Sequence, residues 1–153
     1  MNEDFLDLLR CLIAAGARFL VVGAHALAVH GVPRATGDLD VWIEREPGNV
    51  ARVWAALESF GAPVAAMGVD RHDLEAPGVV VQIGLPPRRI DLITEITGVA
   101  FDEAWVARVS HRITDVDVPF IGRGELVRNK RATGRLKDLA DLEALGETSQ
   151  PSH

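Results

Sequence analysis

The sequence predicts an α/β (α+β) domain, a mixed sheet flanked by helices with further helices at the C-terminal end. Three observations predict it. Short apolar or β-branched runs at 18–22, 38–43, 79–83 and 89–93 are separated by segments of helical periodicity. Glycines punctuate the junctions between them, and the stretch from 125 to 145 carries only helical patterns.

In chain order, residues 3–15 place Phe5, Leu8, Leu9, Leu12 and Ile13 at helical spacing behind acidic residues, so an amphipathic helix is expected to end near Gly16. Residues 18–22 read as a buried strand stopped by Gly23, and 24–30 as a short helix closed by Gly31. A strand follows at 38–43. Residues 46–49 read as a loop and 50–60 as a helix ended by Gly61 and Pro63. The segment 62–78 is either a short helix with long loops or a mobile flap. Residues 79–83 and 89–93 flank Gly84-Leu85-Pro86-Pro87 as an antiparallel strand pair. A helix is expected at 101–109, one or two short strands at 113–121, and closing helices at 125–132 and 136–145 around Gly134.

The chain has 153 residues, 48% of them hydrophobic, which suits one domain, residues 1–146, with a flexible polar tail at 147–153. Its one cysteine, Cys11, rules out an intrachain disulfide and lies in an apolar helical run, where a thiol behaves as a small hydrophobe. No apolar run is long enough to span a membrane, and the N-terminus is acidic where a secretory signal is basic, so a cytoplasmic setting is expected. The net charge of −6 argues against a broad nucleic-acid surface. The charge is uneven, however: residues 123–137 hold six basic residues against one acid, leaving +5 there and −11 elsewhere.

Candidate chemistry starts at Gly37-Asp38-Leu39-Asp40-Val41. In a strand, alternate side chains share a face, so Asp38 and Asp40 converge, roughly 6 to 7 Å apart, beside an apolar wall. Two like charges so placed call for water, a cation or a positive partner. Asp91 stands between Ile90 and Leu92 in a core-like strand. It joins the other two acids there, or else pairs with Arg88 or Arg89. The strand, Gly23 turn and following helix form a geometry that suits a phosphate. Asp138 lies beside the apolar stripe of the last helix, where a carboxylate is paired or used; a network with Lys137 and Asp141 is one account. The histidines and Cys11 lack zinc-ligand spacing.

Read in order, Val21-Val22-Gly23-Ala24-His25-Ala26, Arg34-Ala35-Thr36-Gly37-Asp38-Leu39-Asp40-Val41-Trp42 and Arg89-Ile90-Asp91-Leu92-Ile93-Thr94 resemble the three core motifs of the nucleotidyltransferase superfamily. The segment from Asn129-Lys130-Arg131 through Arg135-Leu136-Lys137-Asp138 to Asp141-Leu142 is similar to the C-terminal motifs of its AbiEii/AbiGii toxin-like branch. The resemblance covers residues 18–145. It implies a nucleotidyltransferase-like fold, Mg²⁺ (or Mn²⁺) held by Asp38, Asp40 and Asp91, and catalysis by these acids with Lys130. It also implies NTP contacts from Gly23, Ala24, His25, Lys130, Arg135, Lys137 and Asp138. The implied acceptors are RNA, including tRNA, or a protein, with an antitoxin as partner. Relatives commonly carry Gly or Ser where Ala24 stands, so here only backbone N–H groups and His25 remain for the phosphates. A catalytically inactive nucleotide- or partner-binding module is the alternative. A third reading makes the basic helix pair an RNA-binding surface.

Overall fold

The structure, a computed structural model, describes residues 1–32 and 37–147. The Arg34-Ala35-Thr36 part of the second motif and the tail from 148 onward lie outside the described residues.

Helix α1 (Glu3–Ala14) starts where the Asn2 side chain accepts the Asp4 N–H, and it buries Phe5, Leu8, Leu9 and Leu12 as expected from spacing, with Leu6 added to the buried face and Ile13 left exposed. Strand β1 (Phe19–Val22) is buried along its whole length. Gly23, at φ 69°, turns the chain directly into helix α2 (Gly23–Val29), and strand β2 (Leu39–Ile43) follows. Helix α3 (Pro47–Phe60) begins earlier than expected and absorbs most of the predicted loop at 46–49. The Glu46 carboxylate accepts the Gly48 and Asn49 N–H groups, and Pro47 occupies the first turn, where its missing donor costs nothing. Asn49 faces inward, accepting the Arg18 N–H and donating to the Arg18 and Glu44 carbonyls.

Within 62–78 the structure holds the short helix of the two alternatives. This is α4 (Arg71–Glu75), started by a reciprocal cap between Asp70 and Asp73 and anchored by fully buried Leu74. Strands β3 (Val80–Ile83) and β4 (Ile90–Ile93) form the expected antiparallel pair. Helix α5 (Phe101–Val106) ends sooner than expected, because Val109 already belongs to a hairpin of β5 (Val109–Ile113) and β6 (Val116–Phe120), with Thr114 at φ 55° in the turn. Strand β5 leaves Ser110, His111 and Arg112 exposed, so it carries no apolar alternation to read. Helices α6 (Arg123–Thr133) and α7 (Leu136–Ala144) pack on each other across Gly134.

The six strands run β3-β4-β2-β1-β6-β5. The sheet is mixed: β2–β4 and β1–β6 are parallel, and the other neighbours antiparallel. Phe19, Trp42 and Phe120 are the largest side chains of its core, joined by apolar residues from both α1 and α3. The parallel β2–β4 pairing brings two of the acids together. It needs a long crossover through α3, α4 and β3, and its register places Asp40 directly beside Asp91.

Candidate functional site

Strand pairing gathers the acids. Asp38, one residue before β2, accepts the Arg89 backbone N–H at 3.0 Å, while Asp40 and Asp91 are register partners. The Arg89 side chain threads between two of them: Nε donates to Asp91 Oδ1 at 2.7 Å, and Nη2 lies 3.3 Å from Asp38 Oδ2. Both expectations for Asp91 are thus met together. It joins Asp38 and Asp40, and Arg89 is its ion-pair partner.

Asp40 carries the electrostatic cost. Its carboxyl is pushed up to about 6, first by burial, then by the charge of Asp91 and a hydrogen bond to it, then by Asp38, with Lys137 pulling the other way. Gly23 presses on the same carboxylate. A Cβ at Gly23 would overlap Asp40 Oδ2, and the φ of 69° already disfavours any side chain there, so this glycine is required twice over.

A cavity of about 340 Å³ opens over these groups, walled by Gly23, Ala24, Asp38, Asp40, Arg89 and Asp91 together with Lys130, Lys137 and Asp141. A second, of about 250 Å³, adjoins it through Gly23, Asp40, Lys130 and Lys137 and extends to Arg135. The first N–H groups of α2 have no side-chain cap.

Lys130 is buried, with Nζ 3.3 Å from Asp138 Oδ1 and 3.0 Å from Asp141 Oδ2. Burial pulls its pKa down, and Asp138 opposes that pull. Asp138 is wholly buried and is not among the residues that wall these two cavities. Burial works to raise its pKa, yet hydrogen bonds from Arg135 and Thr133 and the Lys130 charge hold its carboxyl below the usual carboxylate range. Asp138 is a positioning residue for Lys130 and Arg135. The expected network through Lys137 is replaced by one through Lys130, because Lys130 reaches across from α6 between the two acids of α7.

His25, expected among the phosphate contacts, faces another element. Its ring stands edge-on to Phe5 at 5.8 Å and lines neither cavity, since α2 turns that side chain towards α1. Burial lowers its pKa, with the Gly37 backbone offsetting part of the effect.

The basic window of 123–137 is largely spent within the fold. Arg123 and Arg131 pair with Glu147, Arg128 with Glu103, and Lys130 and Arg135 with Asp138. Of the six cations, Lys137 is the one without a salt-bridge partner among the described residues, and it lines both cavities. Arg89 and Asp141 are the site residues that sequence reasoning left out of the set. Arg89 was legible only as a neighbour two residues from Asp91, and Asp141 only as a helix charge one turn from Asp138.

The donor set is all carboxylate oxygen, the chemistry of a hard divalent cation. Among the described residues no three donors yet stand in a coordinating arrangement, and Arg89 supplies the positive charge that the acids require. A divalent cation at these acids would compete with the guanidinium. Arg89→Ala is expected to tighten Mg²⁺ binding on the order of tenfold. Isothermal titration of Mg²⁺ into the two proteins checks this, and an unchanged affinity would show that the guanidinium and the metal do not compete.

No known protein family matches the chain, and no curated protein matches it.

Proposed function

We propose that this protein is a metal-dependent nucleotidyltransferase, transferring a nucleoside monophosphate from an NTP to an acceptor hydroxyl. The observation that carries the reading is the parallel β2–β4 register, which brings Asp91 beside Asp40 with Asp38 alongside, under a cavity walled by Gly23 and Lys137. The resemblance of the same residues to the nucleotidyltransferase motifs supports it.

In this reading Asp38, Asp40 and Asp91 hold Mg²⁺ or Mn²⁺. A divalent ion held there would neutralise charge on the triphosphate and lower the pKa of an attacking hydroxyl. The acceptor oxygen bonds to the α-phosphorus, the bond to the bridging oxygen breaks, pyrophosphate leaves, and the hydroxyl proton passes to Asp40 or to solvent. Lys137, and beside it Lys130 and Arg135, offset charge on the phosphates. Gly23 lets the backbone approach the site where any side chain would strike Asp40. Asp138 and Asp141 hold the Lys130 ammonium at the cavity wall.

The test is Mg²⁺-dependent pyrophosphate release from each of the four NTPs by wild type and Asp91→Ala. Loss of a metal-holding acid is expected to cost about a thousandfold or more in rate. Equal, background-level release by both proteins overturns the proposal and favours the second reading, a non-catalytic nucleotide- or partner-binding module. Two features support that alternative: Ala24 offers no hydroxyl to the phosphates, and Arg89 already neutralises two of the three acids.

A further inference from the structure

Strand β5 forms one margin of the sheet, three strands away from β2 and its acids, and among the described residues only β6 pairs with it. The hairpin turn holds just Thr114 and Asp115, so Ile113 and Val116 exchange hydrogen bonds, as do His111 with Val118 and Val109 with Phe120. The backbone N–H and C=O groups of Ser110 and Arg112 therefore point away from β6, out of the side of the sheet. The same phase asks no donor of Pro119, the register partner of Ser110. Arg10 fixes the turn to α1, donating to Asp115 from Nε at 3.0 Å and Nη2 at 2.8 Å. An open edge so held is a template for another strand. Prolines flank the opposite margin, β3, at 77, 86 and 87, whereas none flanks β5.

The side chains along β5 define which strand fits. Beside Ser110 opens a cavity of about 390 Å³ whose wall includes Ile13, Trp105 and Pro119. Ile13 is exposed at its rim, and Val106, next to Trp105, is 84% exposed. Arg108 lines the same cavity, with its guanidinium 3.9 Å from the Trp105 ring centre and Nη1 donating to the Trp105 carbonyl at 2.7 Å. It has no salt-bridge partner among the described residues. Alternation puts Arg112 on the same face as Ser110, where its pairing with Asp117 at 3.3 Å is exposed and weak. With His111 exposed between them, this edge is basic in a chain whose net charge is −6. Cations on a strand edge deter a second copy of the same edge and favour an acidic strand.

We infer that β5 is a docking edge for an extended acidic segment of a partner protein, which adds a strand to the sheet. Its backbone pairs with Ser110 and Arg112, one apolar side chain enters the cavity beside Ser110, and acids two positions to either side meet Arg108 and Arg112. This interface uses none of the residues assigned to metal or nucleotide, so it stands apart from the transferase reading.

The test is NMR titration of the isotope-labelled full chain with a short capped peptide that carries glutamate, isoleucine and glutamate at alternate positions between threonines. One control peptide has lysine for glutamate; the other has alternate amides N-methylated, which blocks strand pairing. Wild type is expected to bind the acidic peptide saturably, with the largest shifts at the Ser110 and Arg112 amides, and about tenfold or more tighter than either control. Ser110→Pro removes an N–H that the hairpin does not use, so it is expected to keep the wild-type melting temperature while losing about tenfold or more in affinity. Arg108→Glu/Arg112→Glu, altered only at exposed positions, is expected to lose as much for the acidic peptide and to gain affinity for the lysine one. Asp91→Ala is expected to bind as wild type does, so that failure of the transfer reaction and failure of this edge are read separately. No binding by wild type, equal binding of the lysine peptide, or undiminished binding by Ser110→Pro overturns the inference. A concentration-dependent dimer in sedimentation that Ser110→Pro abolishes assigns the edge to a second copy and overturns it too.

Discussion

Asp40→Asn is expected to abolish nucleotidyl transfer while making the metal-free protein more stable at neutral pH. The first effect follows from its proposed role as a metal-holding acid and should reach about a thousandfold or more in rate. The second follows from its surroundings. The Asp40 carboxyl is raised from an ordinary 3.8 to about 6 by burial and by its acidic neighbours, so the folded protein favours the protonated form. A raised carboxyl contributes stability that is fully present below its unfolded pKa and is lost as pH rises through the folded one. Wild-type stability should therefore fall between about pH 4 and about pH 6 through this group, and the Asn variant should lack that fall. Each kcal/mol recovered is worth roughly 2 to 4 °C of melting temperature in a protein of this size. Differential scanning calorimetry across pH checks the prediction. Added Mg²⁺ should raise the wild-type melting temperature by mass action and leave the variant almost unmoved. An Asn variant that is less stable than wild type at pH 7 would show that the acids are not in electrostatic conflict.

Asp138→Ala should act in the opposite sense, as a large loss of stability. The carboxylate is completely buried and joins Lys130 at 3.3 Å, the Arg135 guanidinium at 2.7 Å and the Arg135 N–H at 3.1 Å. Removing one member of a buried ion network leaves its partner's charge short of compensation, a cost of about 3 to 5 kcal/mol. The melting temperature should fall by roughly 10 °C. Asp138→Asn, which keeps an oxygen for the Arg135 N–H, should fall less. The sign with pH is the reverse of that for Asp40. A depressed carboxyl contributes stability that is present above its unfolded pKa and is lost as pH falls, so wild type should lose its advantage over the Ala variant on acidification. A constant difference between the two proteins from neutral to acid pH would count against an ionised Asp138.

The local alphabet of the fold was readable wherever a pattern repeated. The Phe5, Leu8, Leu9 and Leu12 stripe, the Gly61 stop of α3 and the apolar runs of β1, β2 and β4 all mark elements that the structure contains. Reading failed where a cap or an edge carried the information. Glu46 starts α3 through hydrogen bonds made by its own side chain, and β5 is a polar strand at the margin of the sheet, so neither shows apolar periodicity.

By itself the sequence determined which residues were chemically out of place: two acids sharing a strand face, a third acid inside an apolar strand, and a carboxylate beside the stripe of the last helix. Burial cost makes such residues conspicuous in any one-dimensional reading. Only the tertiary structure decided who answers each charge. Arg89 lies between Asp38 and Asp91, Lys130 between Asp138 and Asp141, and Lys137 alone of the six basic side chains in 123–137 has no salt-bridge partner among the described residues. Those partnerships depend on a parallel strand pairing across some fifty residues of chain and on how one helix crosses another, separations over which local sequence pattern carries no information.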